Sequence, residues 1–308
     1  ATGLTNNGAT VTASGGAINA AVTNKSGTFN VTGAVTGNGS FLNTGAGSTL
    51  AVSGTGNYSG LGAVTNAAGA GITVAPGGTL SSSSFTQDDK STTSIAGTLT
   101  TVGATSNNGD FKLTGGAAVN AAGGFVNDAK GKVEVTGAGN TINVGRSILL
   151  NNNIFNVGIV GTPGVLTATG NFVNSATGTL SIAAASTLTV AGAGNQLFNS
   201  GLVTVAAGGT LNSLGGLTNF LGGTVTNNGT VNDALNNAGT VTNNAIYNAD
   251  VASNTGTITN SATGTWTGSV GSTTGTITNL GAWNATASGT PGITAGIANS
   301  GTFNQNGG

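Results

Sequence analysis

Phe172-Val173-Asn174-Ser175-Ala176-Thr177-Gly178-Thr179-Leu180-Ser181-Ile182 carries the phrase from which the fold is read. An apolar residue and a spacer precede Asn; a few small residues with Gly follow; then Thr opens a second apolar run. The phrase recurs as Val22-Thr23-Asn24-Lys25-Ser26-Gly27-Thr28-Phe29, as Phe125-Val126-Asn127 with Gly131-Lys132-Val133, and as Ile297-Ala298-Asn299-Ser300-Gly301-Thr302-Phe303. Further copies place Asn at 43, 66, 199, 260 and 279. Consecutive Asn residues stand 19 and 23 apart (Asn24, Asn43, Asn66), 25 apart (Asn174, Asn199), and 19 and 20 apart (Asn260, Asn279, Asn299). This is a repeat of about 20 residues with jitter in loop length, the signature of a stacked architecture.

Between the Asn anchors run short alternations such as Thr49-Leu50-Ala51-Val52, Thr187-Leu188-Thr189-Val190 and Leu202-Val203-Thr204-Val205. A period of two marks half-buried strands. With 57 Gly in 308 residues and no apolar spacing of 3.6, helix is excluded. One coil of two or three short strands cannot bury its apolar face alone, whereas stacked coils share a continuous core. The expected fold is all-β: a right-handed parallel β-helix of roughly 15 coils of about 20 residues, about 70 Å long at the spacing of hydrogen-bonded strands. Val, Ile, Leu and Phe face inward, and Thr, Ser and Asn outward. The recurring Asn (24, 43, 66, 127, 174, 199, 260, 279, 299) is expected at one corner of successive coils, where its amide can bond the amides above and below and tolerate a left-handed backbone. A propeller or sandwich is the next fold in line, but units of this length are too short for a four-stranded blade. Residues 1–308 read as one repeat domain, interrupted by a polar excursion loop near 81–94, and as a possible fragment of a longer protein.

Only 4% of the residues are charged, with 6 basic and 7 acidic side chains and a net charge of −1. Nucleic acid is excluded as a partner, because counterion release needs clustered Lys and Arg. No apolar run reaches the roughly 20 residues of a membrane-spanning helix, so no transmembrane segment is expected. No signal peptide is visible at Ala1. Abundant Thr, Val and Ile with little net charge argue against disorder.

The stretches 172–192 (FVNSATGTLSIAAASTLTVAG) and 197–211 (LFNSGLVTVAAGGTL) resemble the passenger regions of Gram-negative autotransporters and filamentous-haemagglutinin-like adhesins, and the resemblance extends over essentially the whole chain. It implies an exported β-helix, secreted or at the bacterial cell surface, that displays binding loops or holds a functional tip away from the cell. The family's C-terminal membrane barrel is not seen in the sequence.

Chemistry is sparse. With no His and no Cys, Ser-His-Asp and Cys-His catalysis and the usual zinc sites are excluded. Gly-rich stretches such as Gly137-Ala138-Gly139-Asn140 lack the Lys-Ser/Thr of a phosphate loop. Asp88 and Asp89, within Gln87-Asp88-Asp89-Lys90, are the candidates for Ca²⁺ or for an acid–base pair on glycans; a solvated loop is the plainer reading. Asp110, Lys112, Asp128, Lys130, Lys132 and Glu134 fall in neighbouring repeats, and the spacing pairs Asp110 with Lys130 or Lys112 with Lys132 on adjacent coils. Arg146 is the one arginine. Trp266 and Trp283 occupy apolar positions of the repeat, either as core or as a contact surface for sugar or protein.

Three functions follow as expectations. The first is a non-enzymatic adhesin or passenger stalk, whose partner is a glycan or protein receptor on a host or neighbouring cell. The second is an extracellular fibre or surface-layer subunit, a homopolymer joined through β-helix ends that show no protective charge, Pro or cap. The third is a polysaccharide lyase or glycosidase on the same scaffold.

Overall fold

Alternation places every second side chain of a short strand inward, and the strand Thr179–Ile182 shows the result: Leu180 and Ile182 are buried while Thr179 and Ser181 are half-buried. Repeated coil after coil, this builds the structure, a computed structural model describing residues 3–286, 292–293 and 297–305. The chain is all-β, and its parallel strands stack as a β-solenoid of about 14 turns of ~21 residues. It divides into two compact units, Ala1–Asn153 and Ile154–Gly308.

In the first unit three rows of parallel strands can be followed. One runs through residues 4–6, 22–24, Phe41–Asn43, 64–66, 85–87, Thr105–Asn107, Phe125–Asn127 and 149–151. A second contains Thr49–Val52, Gly71–Val74, Thr92–Ile95 and Asp110–Thr114. The third contains Thr98–Thr101 and Ala118–Ala121. Phe29, Phe41 and Tyr58 meet inside, as do Phe85, Phe111 and Phe125, with centroids 5.3–6.1 Å apart. Each fully buried Val, Leu or Phe contributes about 1.5–3 kcal/mol against its exposed state.

The second unit repeats the plan. Its first row is 172–174, Leu197–Asn199, Leu217–Asn219, Leu235–Asn237 and Val251–Asn254. The second is Ile154–Val157, Thr179–Ile182, Leu202–Val205, Thr224–Asn227, Thr240–Asn243, Thr257–Asn260, Thr276–Asn279 and Ile297–Asn299. The third is Thr187–Ala191, Thr210–Ser213, Thr230–Asn232, Ile246–Asn248, Thr265–Thr267, Ala282–Ala285 and Thr302–Gln305.

Three expectations about the strands and their corners need correction. The segment 81–94 is no excursion: Thr79–Gln87 and Thr92–Ile95 are strands in register with their neighbours, and only a turn at 88–91 separates them. Its serines simply occupy the alternating positions that Thr fills elsewhere. The Asn residues share more than one corner in the second unit, as described below. Nor do they supply left-handed backbone. Apart from Gly, positive φ falls on Lys90 (62°) and Ala185 (55°) among the described residues; the Asn side chains instead turn inward at the ends of strands.

Candidate functional site

The inward Asn residues form ladders of buried amides. In the first unit each Nδ2 donates to the Oδ1 of the next coil from Asn6 to Asn24 (2.8 Å), Asn43 (2.8 Å) and Asn66 (3.0 Å). At the next coil Gln87 replaces Asn, and its longer amide reaches the Ser91 and Asp110 carbonyls at 2.9 and 2.8 Å. The ladder resumes from Asn107 to Asn127 (2.8 Å) and Asn151 (2.7 Å).

The second unit carries two ladders. One joins Asn174, Asn199, Asn219, Asn237 and Asn254, each step 2.8 Å. The other joins Asn227, Asn243, Asn260, Asn279 and Asn299 at 2.7–2.8 Å. Asn260, Asn279 and Asn299 therefore stand at a different corner from Asn174 and Asn199, because the second row changes from Val205 to Asn227 at the same register position. Inside the corner each amide also bonds turn carbonyls; Asn243 Nδ2, for example, donates to Ala245 O (3.3 Å) and Thr265 O (3.1 Å). Backbone groups that a sharp turn would strand are thereby satisfied. Exposed Asn residues form shorter runs of the opposite sense, Asn248 donating to Asn232 and Asn232 to Asn212.

Trp266 and Trp283 are fully buried, which removes them as a contact surface. Tyr247 stacks on Trp266 with centroids 4.0 Å apart, and Trp266 on Trp283 at 4.7 Å, all nearly parallel. Successive coils place one ring over the next, and each indole N–H donates to a carbonyl, Ala249 O or Gly268 O, at 2.9 Å.

The charged residues pair across coils in a register two residues away from the one their spacing implied. Asp110 lies opposite Lys132, and Lys112 opposite Glu134. Lys112 and Lys132 both approach Glu134, and Lys130 Nζ bonds Asp89 Oδ2 at 2.9 Å. That hydrogen bond with Lys130 holds the Asp89 carboxyl below the ordinary aspartate range. Asp89 thus faces an ammonium rather than a second carboxylate, while the Asp88 carbonyl closes the turn with Ser91. Among the described residues no three His, Cys, Asp or Glu side chains gather into a metal-ligand group. Arg146 is exposed.

Sequence reading missed the feature that most resembles a contact surface. At the turn after Leu217–Asn219, where adjacent coils have Ser200-Gly201 and Ala238-Gly239, the sequence is Phe220-Leu221-Gly222-Gly223. Leu221 is 86% exposed and Phe220 45%. The Phe220 ring stacks on half-buried Phe198 of the preceding coil at 6.1 Å, and exposed Leu202 lies on that same coil. The turn is fixed by Gly223 N–H donating to Phe220 O (2.9 Å) and Phe220 N–H to Asn199 O (2.8 Å). Gly223 is required there, since a Cβ would come within 2.6 Å of the Asn199 carbonyl. The signal was present in the sequence as two large apolar residues in a position otherwise held by small ones.

No protein-family model matches the chain. No curated protein matches it. Among solved structures it is similar to the crystal structure of a TibC-catalysed hyper-glycosylated fragment of TibA, with 16% identity over 92% of this chain and 93% of that one and a TM-score of 0.45.

Proposed function

We propose that this chain is a non-enzymatic exported surface protein whose solenoid is a scaffold, or stalk, for attachment. The observation that carries the reading is the apolar corner of Phe198, Leu202, Phe220 and Leu221, set on a coil whose turn is held by backbone hydrogen bonds. Clustered exposed apolar side chains mark contact surfaces, and rigid elements present them without ordering cost. The second unit has no Lys or Arg, so anionic surfaces gain nothing there, and the leucines suit an apolar protein surface better than a polyol. The likeness of the repeat idiom to autotransporter passengers supports the exported location.

The test is binding of fluorescently labelled chain to candidate cell surfaces, with Phe220→Asn/Leu221→Asn as the variant. The variant is expected to bind at least tenfold more weakly with an unchanged circular dichroism spectrum. Equal binding refutes the assignment of the corner. Release of the protein by protease treatment of intact producing cells tests the location. Turnover of acidic glycans that is lost in Asp89→Ala overturns the non-enzymatic reading.

A further inference from the structure

The second unit contains two acidic side chains, Asp233 and Asp250, and no basic ones, and one of the two is inside. Along the third row the inward position that ends each strand passes from Val190 to Ser213; one coil on, after Thr230–Asn232, it is Asp233. That residue is 1% exposed. Its Oδ1 accepts the Ser213 N–H, and its Oδ2 has no hydrogen-bond partner in the protein. On the following coil the Tyr247 hydroxyl is also buried without a partner. These are the two such side-chain oxygens among the described residues of this unit, and Tyr247 opens the stack continued by Trp266 and Trp283.

We propose that Asp233 is a proton-operated latch: the coils bearing Thr230–Asn232 and Ile246–Asn248 close on each other while Asp233 is a neutral acid, and its ionisation beside the buried Tyr247 loosens them. A buried carboxylate with one N–H donor and no cation lacks compensation for its lost hydration. Protonated, the carboxyl carries no charge and needs no such compensation; the Tyr247 phenol on the next coil is equally buried and is not hydrogen-bonded to it. Burial pushes Asp233 up to about 7, against the lowering effect of the Ser213 N–H. From the strand on one side, Thr210–Ser213, no titratable group faces it. From the other comes Tyr247, whose phenol is held well above its usual value by burial and by the Asp233 charge. Leu235–Asn237 contributes none. Asp250, whose backbone oxygen accepts the Leu235 N–H, is exposed and turns its carboxylate to the Ser269 N–H at 2.7 Å.

The sign follows from proton binding. Between the ordinary value of 3.8 and about 7, the closed coil keeps a proton that the opened coil releases. Closure is therefore favoured fully below that window and is lost as pH rises through it, by about a thousandfold in the closed-to-open ratio. Trp266 stacks on Tyr247 and Trp283, the chain's second tryptophan, on Trp266, so emission of the full chain reports on the site. Titrated from acid to alkaline pH, emission is expected to change with a midpoint near 7, to lose that change in Asp233→Asn and to keep it in Asp250→Asn. A flat profile, or a transition that persists in Asp233→Asn, overturns the proposal. Should Asp233→Asn fail to fold, Asp233→Ser, which repeats the residue of the preceding coil, and the ¹³C carboxyl titration of Asp233 in the unaltered chain decide. A carboxyl midpoint near 4 overturns the latch.

Discussion

Replacing Asn243 by Ala removes a buried rung while leaving its sequence neighbour, Asn244, as an internal control. Asn243 accepts from Asn227 Nδ2 at 2.7 Å and donates to Asn260 Oδ1 at 2.8 Å, to Thr265 O at 3.1 Å and to Ala245 O at 3.3 Å. After the substitution Asn227 Nδ2 keeps the Ile246 carbonyl, but Asn260 Oδ1 loses its donor from that coil. The Ala245 C=O and N–H lose their bonds to this side chain as well; at about 1–3 kcal/mol for each buried polar group left unsatisfied, the loss is roughly 3–5 kcal/mol. At a urea m-value of about 2 kcal/mol/M, that is a fall of roughly 2 M in midpoint. Asn244 makes the same amide-to-amide bond, to Asn228 at 2.8 Å, on the exposed side. Asn244→Ala should therefore stay within about 0.5 kcal/mol. The assay is urea unfolding followed by tryptophan emission, which reports on this unit because both indoles lie in it. Equal losses for the two variants, or a loss below about 1 kcal/mol for Asn243→Ala, would refute the view that burial gives the ladder its energy.

Trp266→Ala should cost about 3–5 kcal/mol and abolish the near-ultraviolet circular dichroism of the stack, since Trp266 lies fully buried between Tyr247 and Trp283. Gly239→Ala places a Cβ 2.2 Å from the Gly223 oxygen and should lower the thermal midpoint by the equivalent of more than about 2 kcal/mol. Gly222→Ala, at φ +88° in open space, should cost only about 1 kcal/mol of backbone strain. Lys130→Ala should raise the Asp89 carboxyl toward the ordinary aspartate range in an NMR titration, because its depression comes first from the hydrogen bond with Lys130.

The repeat and the strand phase were legible because alternation and Asn spacing are direct images of coil geometry: Leu180 and Ile182 point inward wherever the chain coils. The corner was not. Asn219 and Asn227, Asn237 and Asn243, and Asn254 and Asn260 show two Asn per coil in the second unit. Both corners turn through similar Asn–Gly–Thr phrases, so spacing of about 20 fits either one. The charge register was misread for a related reason. Asp110 and Lys132 are separated by a coil longer than the mean, and a shift of two preserves the side facing outward while changing the partner. Residues 81–94 were misjudged by composition, since Ser and Gln in strands look like loop until their neighbours' register is known. Asp233 was visible as a charge in a neutral half, but alternation from Val231 was needed to see that it points inward.

Within the Asn ladders the amides point one way: Nδ2 looks toward the coil that follows in the chain and Oδ1 toward the one before. A completed coil therefore offers oriented donors as a template to the segment arriving next, and that segment's Asn has one orientation in which to dock. Such vectorial assembly asks nothing of charge, which this chain scarcely has. Because aligned amides polarise one another, each added rung is expected to bind more firmly than the first, so growth of the stack has a direction written in its side chains.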